Sequence, residues 1–216
     1  MSVVIVAYSP SAGGNHLRNI LCLSSSFVNS VEFDSTIYDR ADQTAGSVHS
    51  IPGRNIQTEY LKRVLVNPRD CFALAGHFSE LAEYREFLLN IDKKFIIIGI
   101  DTVQDRKLLG NRQTRLGQHT QPHPYWLNEE QPFLYRSTMY QSYFATLPQD
   151  ILTISLYDLW HPTFNNGRVI QCINDFLNID IDITPAQMLH EKWWRNNFNF
   201  HFSNYEQQVF GYQPKL

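Results

Sequence analysis

Apolar positions in this 216-residue chain follow two rhythms. Unbroken apolar runs occur at Val3 to Tyr8, in "CFALAGHF" from Cys71, in "KFIIIGID" from Lys94 and in "ILTISLYDL" from Ile151. Such runs predict strands buried on both faces. Elsewhere apolar residues fall three or four apart, the spacing of one helical face. Leu17, Ile20 and Leu21 form one such stripe. Ile56, Tyr60, Leu61, Val64 and Leu65 form a second, which "NPRD" stops. Leu81, Tyr84, Leu88 and Ile91 form a third, and Phe133, Tyr140, Phe144 and Leu147 a fourth. Val169, Ile170, Ile173, Phe176 and Leu177 mark a fifth. A last helix is expected from Thr184, with Pro185 in its first turn and Gln187 placed for a capping box. Residues 102–128 read as irregular, and residues 34–55 as a long polar loop of the kind that serves as a lid or substrate loop.

Strands alternating with helices predict an α/β fold. The expectation is a single three-layer domain over 1–216, with a central, mostly parallel sheet and helices on both faces. Right-handed crossovers would then place any ligand beyond the carboxyl ends of the strands. Three chemistry-bearing positions fall at such ends: the bend after Tyr8, His77 after "FALAG" and Asp101 after "FIIIGI".

Composition narrows the function classes. With 43% hydrophobic and 13% aromatic residues the chain can build a core, and a net charge of −3 gives no electrostatic case for a nucleic-acid or membrane-surface partner. Cys22, Cys71 and Cys172 are odd in number and lack Cys-x-x-Cys spacing, so neither a disulfide framework nor a zinc site is expected. The first apolar run is short and has no basic residues before it, unlike a signal peptide or a span. A cytoplasmic protein is the resulting expectation.

The first strand meets its helix through "SPSAGGN", Ser9 to Asn15. Gly13 and Gly14 allow successive N–H groups to converge, and the helix start adds its positive dipole end. That combination favours a phosphate or sulfate. The alternative is a plain βα turn with glycine for tight packing. No Gly-Lys-Ser/Thr follows, so the bend is not a Walker A loop, and it is not Gly-x-Gly-x-x-Gly either.

"SPSAGGNHLRNIL" resembles the phosphosulfate-binding loop of sulfotransferases, Pro-Lys/Arg-Ser-Gly-Ser/Thr-Thr before an apolar helix. Pro10 and Gly13 match, Ala12 takes the place of the Ser, Gly14 and Asn15 replace the hydroxyl pair, and Ser11 stands where that family carries a basic residue. "ILTISLYDLWHPTFNNGRVIQCINDFLNID" is similar to the family's late strand, "YEDL"-type turn and following helix, through Tyr157, Asp158, Leu159, Phe176 and Leu177. "LHEKWWRNN" resembles the closing helix of small members of that family, some of them encoded by marine phages. The resemblance implies a P-loop NTPase-like domain that takes 3′-phosphoadenosine-5′-phosphosulfate as donor and a small molecule or sugar as acceptor, with no metal. A fold that has lost catalysis and serves as a binding or structural protein, for example in a virion, is the alternative it leaves open, and a homo-oligomer or a virion partner is left open with it.

Under that resemblance the backbone of Ser11, Ala12, Gly13, Gly14 and Asn15 forms the cradle, and His77 takes the acceptor's proton. An imidazole titrating near neutrality suits that task; the alternative is a histidine hydrogen-bonded at a strand end. His16 would touch the bound anion or merely pack. His49 and Arg54, on the expected lid, would meet the acceptor. The family's Arg and Ser for the nucleotide's 3′-phosphate have no direct match in "IIIGIDTVQDRKLLGN", where Asp101 stands near the Arg position; Arg106 and Arg112 are the substitutes. His119 and His123 lack acidic or Cys partners at metal-ligand spacing, and His190 beside Trp193 and Trp194 reads as helix packing.

Overall fold

A computed structural model of the chain describes residues 3–8, 12–28, 71–77, 89–100, 102–115, 150–201 and 209–210, without the side chains of residues 77, 112–115 and 196–201. Its elements in chain order are β1 (Val3–Tyr8), α1 (Gly14–Leu21), β2 (Phe72–His77), β3 (Lys93–Gly99), α2 (Val103–Arg115), β4 (Asp150–Ser155), α3 (Leu156–Trp160), α4 (Arg168–Leu177) and α5 (Ile183–His201). The lid expected at 34–55, with the helical stripes at 56–65 and 133–147, lies outside the described residues.

The strands pair in the order β2-β1-β3-β4, all parallel. The fold is therefore α/β, with a four-stranded parallel sheet and several helices among the described residues. Every residue of β1 is buried, which is why its run is apolar without alternation. Val4, Val6 and Tyr8 join one core cluster with Ile96, Ile98, Leu17, Ile20, Ile170, Ile173, Trp160 and Trp193. Val3, Ile5 and Ala7 alternate to the other side and are buried as well. Burial of this order stabilises by roughly 1.5–3 kcal/mol per large aliphatic side chain. β4 is more open, with Ile151 43% exposed.

Several sequence expectations are corrected. Residues 103–115 are helical rather than irregular. The helix is mostly polar outside Leu108 and Leu109, so its start is set by capping rather than by an apolar stripe. Thr102 Oγ1 accepts the Asp105 amide at 3.0 Å, and Asp105 Oδ2 accepts the Thr102 amide at 3.1 Å, a reciprocal cap. The fourth strand ends at Ser155, because Ser155 Oγ accepts the Asp158 amide at 3.0 Å and turns "LYDLW" into α3. Ile91 lies beyond its expected helix, in the bend before β3. The last helix begins at Ile183, and Asp182 Oδ1 accepts the Thr184 amide at 2.9 Å, so the capping acceptor is Asp182.

Lys94, at the amino end of β3, donates to the Phe176 carbonyl at 2.7 Å and sits over the Phe176 ring. It thereby places a cation on the carboxyl end of α4, where the helix dipole favours one.

Candidate functional site

β1 connects to β2 on one side of itself, whereas β3 pairs on its other side. The strand order thus reverses at β1, and the crevice beyond the carboxyl ends of β1 and β3 is where ligands bind in open parallel sheets. The bend before α1 borders that crevice.

Gly13 is the N-cap of α1, with φ 92°, a left-handed conformation that glycine adopts without a steric cost. Gly14 lies against the Tyr8 ring so closely that a Cβ there would overlap it. The cap supplies no side-chain acceptor, and the amides of Gly13, Gly14 and Asn15 meet no acceptor among the described residues. First-turn amides of this kind, at the positive end of a helix, suit an anion.

The bend rests on two indoles. Trp160 Nε1 donates to the Ala12 carbonyl at 3.0 Å, and a Cβ on Gly13 would meet Trp160 and Trp193 at 3.4 Å each. Trp194 Nε1 in turn donates to the Trp160 carbonyl at 2.7 Å, tying α5 to α3. The corner is shaped from beneath by residues almost 150 positions or more away in sequence. Ser9, Pro10 and Ser11, the first part of the bend, lie outside the described residues.

His16 follows the bend but packs inward. It is 1% exposed, its Nε2 lies 3.0 Å from His190 Nδ1, and its ring stacks on Trp193 at 4.3 Å between centroids. The ring is thus buried between α1 and α5, beside His190 and Trp193. His190 packs as expected, with its Nε2 2.7 Å from the His161 carbonyl oxygen and burial pushing its pKa down to about 3.

His77 is the last residue of β2 and pairs in register with Tyr8, so its backbone stands next to the start of the bend; its side chain is outside the described residues. Arg106 lies in the first turn of α2, beyond the end of β3 on the other side of β1. It is 4% exposed and its Nε donates to the Thr102 carbonyl at 3.1 Å. Arg112 is on the same helix, and nothing is described of its side chain. His49, Arg54, His119 and His123 fall outside the described residues, as does Asp101.

The structure thus brings the bend, the end of β2 and the start of α2 to the carboxyl end of the sheet. Sequence reasoning missed Asp105, which is 0% exposed and accepts the Tyr157 amide at 2.8 Å as well as Thr102. One carboxylate therefore joins the amino ends of α2 and α3. The signal was present as Thr-x-x-Asp, the capping-box spacing. Among the described residues no group of His, Cys, Asp or Glu is placed to hold a metal ion, and no helix is long and apolar enough to cross a membrane.

Comparison of the chain with family models, curated proteins and solved structures found no match.

Proposed function

We propose that the chain is a sulfotransferase, moving a sulfuryl group from 3′-phosphoadenosine-5′-phosphosulfate to a hydroxyl or amine of a small molecule or sugar. One observation carries this reading. The amides of Gly13, Gly14 and Asn15, at the start of α1 and beside the strand-order reversal, meet no acceptor among the described residues. The bend's match to a phosphosulfate loop and the parallel sheet support it. The finer architecture proposed with it is a single three-layer, P-loop NTPase-like domain.

The chemistry assigns each group a task. The acceptor oxygen or nitrogen attacks sulfur in line, the bond from sulfur to the 5′-phosphate oxygen breaks, and the bisphosphate nucleotide leaves. His77 takes the acceptor's proton. The backbone of Ser11 to Asn15 and the α1 dipole meet the charge that grows on the leaving phosphate. Arg106 and Arg112 hold the nucleotide, and His49 and Arg54 hold the acceptor. His16 is left out of the catalytic set because it is buried against His190.

Calorimetry with 3′-phosphoadenosine-5′-phosphate, run beside a sulfuryl-transfer assay, tests the assignment. The expected outcome is binding near micromolar, about −8 kcal/mol, in both the natural protein and His77→Ala, with transfer lost in the variant alone. Turnover retained in His77→Ala removes that residue from the base role. Absence of binding at millimolar nucleotide rejects the donor.

A second reading, a sulfotransferase-like fold without catalysis that acts as a binding, homo-oligomeric or virion component, draws on Arg106. Its guanidinium is 4% exposed and donates to the Thr102 carbonyl, an arrangement that would suit a structural role at the start of α2. Ser11 in place of a basic loop residue points the same way. The same titration separates the two readings.

A further inference from the structure

The hydrogen bond from Trp160 to the bend has a consequence on the far side of a peptide plane. Trp160 Nε1–H donates to the Ala12 carbonyl at 3.0 Å, and both residues are 0% exposed. No backbone amide among the described residues reaches the Ala12 oxygen, so among them the indole alone holds this plane. None of the described peptide bonds is cis. In a trans unit the carbonyl and the N–H of the next residue point in opposite directions. With the Ala12 oxygen turned onto the indole, the Gly13 N–H is turned away from it. Gly13 is half-buried, and its amide meets no acceptor among the described residues.

Glycine gives this plane a second orientation. Gly13 sits at φ 92°, and glycine accepts φ of either sign at little cost. The Ala12–Gly13 peptide can therefore turn over, with Gly13 moving to negative φ. The turned plane presents a carbonyl oxygen where the N–H had been, and a carbonyl repels an anion. A buried indole needs an acceptor in any protein, so the bond to Ala12 would be ordinary packing but for the outward amide at the other end of the same plane.

We propose that Trp160 is a positioning residue of the bend. Its N–H selects the orientation in which the Gly13 amide faces outward, and so readies the bend for an oxygen of a phosphate or sulfate. The role rests on the reading of the bend as a phosphosulfate cradle. It also couples the two ends of the plane. An anion that accepts from the Gly13 N–H polarises the peptide, makes the Ala12 oxygen a stronger acceptor and tightens the indole bond. Trp193 completes the floor by contact alone, since it meets the Gly13 position through ring carbons.

The test uses inorganic sulfate and 3′-phosphoadenosine-5′-phosphate as probes, followed in proton–nitrogen correlation spectra of the full chain. Sulfate is expected to move the Gly13 amide and the Trp160 Nε1–H downfield along one saturation curve. Trp160→Phe keeps an aromatic ring without a donor. It is expected to retain the far-ultraviolet helix signal and to bind sulfate about tenfold more weakly, because only part of its population keeps the amide outward. Trp194→Phe removes the indole N–H that donates to the Trp160 carbonyl and leaves the bond to Ala12 in place. It is expected to bind sulfate as the natural protein does.

A shift at Gly13 with no shift at Trp160 Nε1–H overturns the role of Trp160 and leaves the cradle standing. Unchanged affinity in Trp160→Phe, or an equal loss in Trp194→Phe, does the same. Sulfate binding at Gly13 without nucleotide binding rejects the donor and keeps Trp160 in its role. No shift of Gly13 with either probe overturns both. If Trp160→Phe does not fold, the joint shift in the natural protein decides.

Discussion

Asp105 Oδ1 accepts the amide of Tyr157 at 2.8 Å, while its other oxygen accepts the amide and hydroxyl of Thr102 at 3.1 and 2.7 Å. A single buried carboxylate thus closes the first turns of α2 and α3, and both helix dipoles stabilise its charge. The contact decides where the elements after β3 and β4 sit relative to each other.

Removing that carboxylate should therefore cost more than one cap. Asp105→Ala leaves first-turn donors of both helices without it, and a loss of about 2–4 kcal/mol is expected. Asp105→Asn keeps the shape but has one acceptor oxygen instead of two, so an intermediate loss is expected. Urea unfolding midpoints of the three proteins check the order. Equal stability of Asp105→Ala and the natural protein would show that the two helix starts do not depend on this bridge.

Gly14→Ala sets helix propensity against packing. Propensity alone favours alanine by about 1 kcal/mol. The added methyl group, however, would overlap the Tyr8 ring, which is itself buried at 6% exposure. Overpacking of this kind costs about 1–3 kcal/mol, so net destabilisation is expected. In a Tyr8→Ala background the same substitution should become neutral or stabilising. A double-mutant cycle by thermal unfolding measures the difference, and additive effects would contradict the close approach.

Acid should weaken the fold through His190. Its pKa falls from 6.5 to about 3 on folding, because burial disfavours the charged ring. Below pH 6.5 the unfolded chain takes up a proton that the folded chain refuses until about pH 3. Stability is then present in full above the unfolded value and is lost as pH falls through that window, by about 1.4 kcal/mol per unit from this group. Denaturant titrations between pH 7 and 4 should show a shallower slope for His190→Gln than for the natural protein. Identical slopes would mean that His190 is not held neutral.

Cys22 acts at the alkaline end. Burial raises its pKa from 9.0 to about 12, with Arg18 opposing the shift. Here the unfolded chain loses a proton above pH 9.0 that the folded chain keeps, so stability from this group falls as pH rises from 9.0 toward 12. The same burial should shield the thiol from an aromatic disulfide reagent at pH 8, so that Cys22 reacts only on unfolding. Mass mapping of the labelled peptides checks this, and fast labelling of Cys22 in the folded protein would contradict its burial.

The part of the fold legible from the residues was the part that burial alone specifies. Val3 to Tyr8 and Lys93 to Gly99 need an apolar residue at every position because both faces are covered, and such runs stand out in any sequence. α4 was legible for a related reason, since Val169, Ile170, Ile173 and Leu177 repeat on one buried face. α2 was not, because its start depends on the hydrogen bonds of Thr102 and Asp105 rather than on an apolar stripe. The end of β4 was obscured for the same reason: Ile154 and Leu156 read as one continuous run, whereas Ser155 between them caps the helix that starts at Leu156.

By itself the sequence determined a parallel α/β sheet and an early glycine bend at the carboxyl end of its first strand, because periodicity and glycine's backbone freedom are local properties. Tertiary structure alone decided what lies beneath that bend and where His16 turns. His16 meets His190, 174 residues away, and Trp160 reaches Ala12 across 148. No local pattern encodes such a meeting, since a histidine at a helix start has the same propensity whether it faces an anion or a second imidazole. The partner brought by the fold makes the difference, through the need of a buried ring nitrogen for a hydrogen bond.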